Sequence, residues 1–381
     1  MKEGIVKMLN VINEKKINAF VEVFYRNYEN VRFNKWNYED GCILMAAIQL
    51  YEATGKSLFR EFIISYLDKY IEEDGTLKHY KLEDYNLDNI APGRALIFAY
   101  EQTGNEKFYK AVKVLENQLN EQPRTESGNF WNKKIYPNQV WLDGLYMAQP
   151  FYTACETKYG KKEHYQDIVK QFLQVRKHMF DPEKQLHYHG FDESEEIFWA
   201  KKPGGCSKNF WLRAIAWYQM ALIDTMEEMS KAIYENYRTL GDLFKEALKG
   251  LLQYQEKESS LFYQLIALPE QEGNYLETSG SAMIAASIFK ACRMKVILPE
   301  KYEKAAENIL NSIIERKLVY KDGKYILNDI NAVSGLGPKD NLRRDGSISY
   351  YLSEPIVSND NKGIAALFMA YAQYLKLNQN K

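Results

Sequence analysis

Two kinds of segment alternate along this chain. In one kind apolar residues run on every side, near 40–53, 90–102, 143–157, 209–229, 278–293 and 361–376. These predict helices buried all round. In the other kind Lys and Glu interrupt apolar residues at helical spacing, near 57–72, 105–120, 162–178, 236–255 and 299–316. Phe108-Tyr109-Lys110-Ala111-Val112-Lys113-Val114-Leu115 is typical, and such segments predict amphipathic outer helices. A further helix near 4–14 brings the total to about twelve. The junctions repeat as well. Tyr51-Glu52-Ala53-Thr54-Gly55 with Phe59 recurs as Tyr100-Glu101-Gln102-Thr103-Gly104 with Phe108, and more loosely as Cys155-Glu156-Thr157-Lys158-Tyr159-Gly160 with Tyr165. Glycine at that turn suits a left-handed helix C-cap. The pattern predicts an all-α fold in which six helical hairpins close into a ring, as one domain spanning 1–381.

The connections at 73–89, 121–142, 179–208 and 317–359 exceed simple turns, and each precedes an inner helix. They are expected at one mouth of the ring, where long ordered loops carry function. The junction residues are chemically informative: Trp36, Tyr38, Glu39 and Asp40, then Asp88, Asp143, His189, Trp211, Arg213, Glu277, Asp360 and Lys362. Helix N-capping accounts for Asp40 and Asp360. Asp143 differs because Trp131, Tyr136 and Trp141 surround it in sequence, so that apolar neighbours favour its protonated, proton-donating form. It is the expected catalytic residue. Five of the six tryptophans, Trp131, Trp141, Trp199, Trp211 and Trp217, fall in one stretch, which suits a cleft that stacks sugar rings. Trp217, four residues after Arg213, is the one most suited to a partly structural role. Arg213 presents a fork of donors either for a substrate carboxylate, making the sugar a uronic acid, or for an internal salt bridge. His187-Tyr188-His189 lacks a third metal ligand at sensible spacing, so His189 is read as a contact to a sugar hydroxyl.

Charge and cysteine content narrow the function class. Lys plus Arg total 50 against 51 for Asp plus Glu, a formal net charge of -1, which offers no general field for nucleic acid. Cys42, Cys155, Cys206 and Cys292 show no CxxC spacing and read as reduced thiols. No apolar export segment follows Met1 and no run has membrane length, so a cytoplasmic location is expected. There is no phosphate-cradling glycine loop and no GxSxG elbow, hence no expected cofactor or metal. The expected partner is a small oligosaccharide, and the residues do not specify an oligomeric state.

A further set of motifs runs nearly the whole length. It comprises Asp88-Asn89 with Pro92-Gly93-Arg94, Gln122-Pro123-Arg124-Thr125 leading to Phe130-Trp131, and Tyr136-Pro137 followed by Trp141-Leu142-Asp143-Gly144-Leu145-Tyr146-Met147. It continues with His189-Gly190-Phe191-Asp192, Phe210-Trp211 with Arg213, Glu277-Thr278-Ser279-Gly280-Ser281-Ala282-Met283, and Asp345-Gly346-Ser347 with Tyr350-Tyr351-Leu352-Ser353. On these residues the chain resembles the unsaturated rhamnogalacturonyl hydrolases of glycoside hydrolase family 105, related to the unsaturated glucuronyl hydrolases of family 88. The resemblance implies an (α/α)6 barrel and hydration of a C4=C5 enol ether. It also implies Asp143 as general acid and then base, Asp88 as second carboxylate, and Lys133, Trp141, His189, Trp211, Arg213 and Trp217 as substrate-binding residues. Asn132 stands where that family has histidine, and Leu212 and Ala216 where it has glycine, changes that bear on the leaving sugar. Two other readings stay open: a conventional inverting glycosidase on the same barrel, and a sugar-binding protein without turnover.

Overall fold

The computed structural model describes residues 12–28 and 35–379. Its helices are α1 (Glu14–Arg26), α2 (Tyr38–Thr54), α3 (Ser57–Tyr70), α4 (Gly93–Thr103), α5 (Glu106–Glu121), α6 (Leu142–Lys158) and α7 (Tyr165–Met179). They continue with α8 (Leu212–Glu228), α9 (Tyr234–Leu251), α10 (Thr278–Arg293), α11 (Pro299–Ser312), the short α12 (Ile348–Ser353) and α13 (Asn361–Asn378). Helices α2, α4, α6, α8, α10 and α13 form the inner ring. Each packs on the next, and α13 returns to α2, which closes the circle. This is an (α/α)6 barrel. Burial follows from composition: α8 hides every residue from Leu212 to Met226, whereas α5 buries only one face. The outer helices α3, α5, α7, α9 and α11 each pack on the inner helix before them in sequence. Helix α1 completes this layer through Phe20 and Phe24, whose rings lie 5.1 and 5.4 Å from that of Phe368 on α13.

The helix expected near 4–14 falls, as far as residue 11, outside the described residues, and the twelfth barrel helix is α1 instead. Asn13 caps α1 by accepting the Lys16 N–H, which fixes its start. Two of the repeated junctions behave as the repeat predicts, since Gly55 and Gly104 end α2 and α4 at φ of 67° and 66°. The third departs. Helix α6 ends on Tyr159 with φ of -122°, and Gly160 instead lets the Glu156 carboxylate approach, where a Cβ would meet it at 2.8 Å.

Short antiparallel strand pairs brace the long connections. Residues 139–141 pair with 190–192, placing Trp141 opposite Gly190, and 330–331 pair with 356–357. The connection 252–277 was not expected to be long, yet it too carries a strand pair, 262–263 with 276–277. All four cysteines are free and buried. No helix among the described residues is long and apolar enough to cross a membrane.

Candidate active site

Five segments meet at one end of the barrel around a cavity of about 300 Å³ lined by Tyr38, Glu39, Asp88, Asn132, Lys133, Tyr136, Trp141, Asp143, Met147, Val333, Ser334, Gly335 and Arg344. Asp143 is the second residue of α6. The strand that ends at Trp141 sets its direction, and the Leu142 N–H donates to the His189 carbonyl at 3.1 Å. That bond ties the Asp143 and His189 loops together. His189 Nε2 lies 3.4 Å from Asp143 Oδ2, and His189 Nδ1 shares a 2.7 Å hydrogen bond with the Tyr351 hydroxyl. Asp143 Oδ2 and His189 Nε2 are buried and make no hydrogen bond among the described residues. The two atoms face each other, so the imidazole is the nearest polar neighbour of the Asp143 carboxyl. Gly144 is required beside Asp143, because a Cβ there would sit 2.7 Å from the Asn132 Oδ1.

Asp88 stands in a single 3-10 turn, Leu87–Asn89, with its N–H held by the Asn86 side chain at 3.0 Å. The Leu87 N–H donates to the Asn132 carbonyl, which anchors this turn to the loop that bears Lys133. Lys133 Nζ donates to Asp88 Oδ2 at 2.5 Å. Burial alone would discharge Lys133, but the Asp88 carboxylate, helped by Tyr136 and Asp143, holds its ammonium above the ordinary lysine value. Trp141 lines the cavity with its ring 4.7 Å from that of Tyr136, and its Nε1–H donates to Gln139 Oε1.

Four expected sugar contacts are placed differently. His189, Trp211, Arg213 and Trp217 are at most 1% exposed and form a layer beneath the cavity lining. Their position follows from α8, which is apolar on every side and therefore draws its first turns into the core. Trp217 stacks on Tyr146 at 4.5 Å, and Trp211 lies 4.7 Å from the His189 ring. Arg213 is held by internal partners. Its Nη1 donates to the Asn331 carbonyl at 2.5 Å and to Ser279 Oγ at 3.1 Å, and its Nη2 donates to Asn331 Oδ1 at 3.1 Å. Glu277, 3.9 Å away, caps α10 and accepts the Asn331 N–H. Arg213 thus pins the strand 330–331 from which Val333, Ser334 and Gly335 reach the cavity. Among the other tryptophans, Trp199 is packed behind Tyr136 and Trp141, and Trp36 donates its Nε1–H to the Asn89 carbonyl.

Asn132, singled out from the sequence as a changed sugar-contact position, lines the cavity with an unpaired Oδ1, whereas sequence reasoning missed Val333–Gly335 and Arg344. The long connection 317–359 was the available signal for the last two. Asp360 is the N-cap of α13, as read from the sequence, while Asn37 rather than Asp40 caps α2. Lys362 Nζ donates to Glu39 Oε1 at 2.9 Å across the α13–α2 seam. His187 packs on Tyr218, and burial pushes its imidazole down to about 3. No group of three or more His, Cys, Asp or Glu among the described residues is arranged to hold a metal ion.

A helical ring with a carboxylate-bearing, aromatic-walled cleft at one mouth is the architecture of a carbohydrate-processing barrel. The model of Glycosyl Hydrolase Family 88 matches residues 12–378, and the chain belongs to this family; it is a glycoside hydrolase. A solved family 105 glycoside hydrolase from C. acetobutylicum ATCC 824 is similar at 38% identity and TM-score 0.89, covering 96% of this chain and 99% of that one. The unsaturated rhamnogalacturonyl hydrolase YesR of Bacillus subtilis is 22% identical over 320 residues, 82% of this chain and 85% of that protein. The unsaturated glucuronyl hydrolase of Bacillus sp. GL1 shares the fold at TM-score 0.62 and 13% identity, over 93% of each chain.

Proposed function

We propose that this enzyme hydrates the C4=C5 double bond of a terminal unsaturated uronate on a short oligosaccharide, with unsaturated galacturonyl-rhamnose as the substrate. Asp143 gives its proton to C4, and cationic character develops at C5, shared with the ring oxygen. Water adds at C5 and returns a proton to Asp143. The resulting hemiketal opens, and the neighbouring sugar leaves as an alcohol. The anomeric carbon is not attacked. The observation that carries this reading is Asp143 on the cavity lining, with its Oδ2 3.4 Å from a histidine whose other nitrogen is held by Tyr351. A placed acid of this kind contributes about a hundredfold to ten-thousandfold in rate.

Asp88, with Lys133 bound to it, holds sugar hydroxyls on the wall beside Asp143, and Trp141 offers an indole edge to the ring. His189, Trp211, Arg213 and Trp217 act from beneath by fixing Asp143 and the strand 330–331. The activities named for the rhamnogalacturonyl and glucuronyl relatives support an unsaturated uronide as substrate. Rhamnose as the leaving sugar rests on the first of them.

The test is incubation with lyase-generated disaccharides from several uronate polysaccharides, followed by loss of the double bond's ultraviolet absorbance. In heavy water the released keto sugar should carry deuterium at C4. Turnover of a saturated glycoside with attack at the anomeric carbon would replace this reading with the inverting one.

A further inference from the structure

The cavity contains or adjoins several cations, and all but one already have an anionic or carbonyl partner. Lys133 is held by Asp88 at 2.5 Å, Lys362 by Glu39 and Asp360, and Arg213 by Asn331 and Ser279. Arg344 is the exception. It is half-buried on the lining, and its guanidinium makes no hydrogen bond or ion pair with the described residues. Its neighbour Arg343 shows what a structural arginine looks like in the same loop: it bonds Glu354 at 2.8 Å and Ser353 at 3.3 Å, and lies over the Tyr350 ring.

The loop around Arg344 is nevertheless fixed. The Arg344 carbonyl accepts the Gly337 N–H at 2.8 Å, and the Arg344 N–H donates to the Asn341 carbonyl at 3.3 Å. Gly335 leaves the space that the side chain uses. A Cβ there would stand 3.1 Å from Arg344 Nη1 and 3.4 Å from the Trp141 ring, so a side chain at 335 would crowd both the guanidinium and the indole wall. Charge in the cleft supplies the other half of the argument. Lys133 offsets Asp88 and Lys362 offsets Glu39, while Asp143 has no lysine or arginine bonded to it, only His189 at 3.4 Å. The lysines of the lining are thus already matched to its carboxylates, and Arg344 is the lining cation left to receive an anionic sugar.

We propose that Arg344 is the docking residue for an anionic group of the substrate, a carboxylate or sulfate held by its planar fork of donors. This rests on the hydrolase reading above and deepens it. Two sources share this chemistry: the C5 carboxylate of the unsaturated uronate itself, and an acidic group on the leaving sugar.

The experiment compares wild-type enzyme, Arg344→Gln and Arg344→Lys on three probes: unsaturated galacturonyl-rhamnose, its methyl ester, and an unsaturated uronyl disaccharide whose leaving sugar is sulfated. Loss of a charged hydrogen-bond pair predicts a rise in KM of about 10- to 100-fold for Arg344→Gln, with kcat much less affected. If the uronate carboxylate is the docked group, both free acids suffer that rise and the methyl ester does not. If the leaving sugar supplies it, only the sulfated probe suffers. In either case Arg344→Lys recovers part of the loss, since it restores charge without the fork. An equal loss on all three probes, or none on any, overturns the assignment. Calorimetric binding of the same probes to wild type and Arg344→Gln reads Arg344 independently of turnover. A wild-type enzyme that binds the acids through Arg344 but converts none of them would remove the hydrolase reading and leave this one standing.

Discussion

The two ends of the barrel axis carry the same residue types in opposite states. At the far end, where α2, α4, α6, α8 and α13 finish, a cavity of about 470 Å³ is lined by residues that include Arg94, Lys158, Glu227, Glu228 and Lys376. Apart from Glu228, which has no ion pair among the described residues, its charges satisfy one another. Arg94 meets the fully buried Asp224 at 2.8 Å, Lys290 bridges Asp224 and Glu227 at 2.7 Å each, and Lys158 and Lys376 close on Glu101 and Glu52. At the mouth, Asp143 Oδ2, His189 Nε2, Asn132 Oδ1 and the Arg344 guanidinium are left over. Chemistry is expected where several unpartnered groups converge, because a network that is nearly saturated has little left to offer a ligand. Cavity size points the other way, since the far pocket is the larger.

Asp224→Asn should break this comparison hardest, by leaving Arg94 and Lys290 without their shared carboxylate. Removing one partner of a buried pair costs about 3–5 kcal/mol, visible as a large drop in Tm and denaturant midpoint. Activity per folded molecule should be unchanged, and a selective loss of kcat would bring the far end into the mechanism. Asp143→Asn is the mirror experiment. It should cost at least about a hundredfold in kcat, roughly 2.7 kcal/mol of barrier, while the Tm stays close to wild type because the asparagine keeps the shape of the side chain and its only polar neighbour, His189, is 3.4 Å away. Near-normal turnover of the double bond would sink the proposed mechanism.

Lys133→Met sits between these extremes. The Asp88–Lys133 pair is partly exposed, so stability should change by no more than about 1 kcal/mol, and the effect should appear in KM as Asp88 loses its orientation. The smallest effect concerns Glu228, whose carboxyl is pushed up to about 7 chiefly by burial and further by neighbouring Glu227, against the pull of Arg94. A raised folded-state value means that its contribution is complete below about 4.5, the ordinary glutamate value, and is lost as pH climbs through about 7. Wild-type Tm should therefore decline over that window relative to Glu228→Gln. Parallel profiles for the two proteins would show that Glu228 does not titrate there.

The contrast also explains how much of the molecule could be read from residues alone. The ring was legible because helix burial is written in periodicity: α8 and α10 are apolar all round and α5 is not, and Gly55 and Gly104 mark two of the turns. Helix α1 was not among the expected helices, although Glu14–Arg26 carries one buried face of Ile17, Phe20, Val21 and Tyr25. Asp143 stood out through its aromatic neighbours, whereas Trp211 and Trp217 read as sugar platforms although both lie in the core. An indole at the start of an inner helix has the same sequence signature whether it faces the cleft or the next helix. Arg343 and Arg344 make the limit plainest. They are adjacent and identical, and only tertiary placement gives one a carboxylate and leaves the other without.

The seam between α13 and α2 has a consequence for how activity arises. Lys362 reaches Glu39 on the lining, and Gln373 bonds Gln49 at 2.9 Å further down the same junction. The helix that follows every other in the chain is thus both the final stave of the drum and a support for the catalytic chamber. A partly assembled molecule has no functioning chamber to expose, so competence should switch on in a single event when the circle locks.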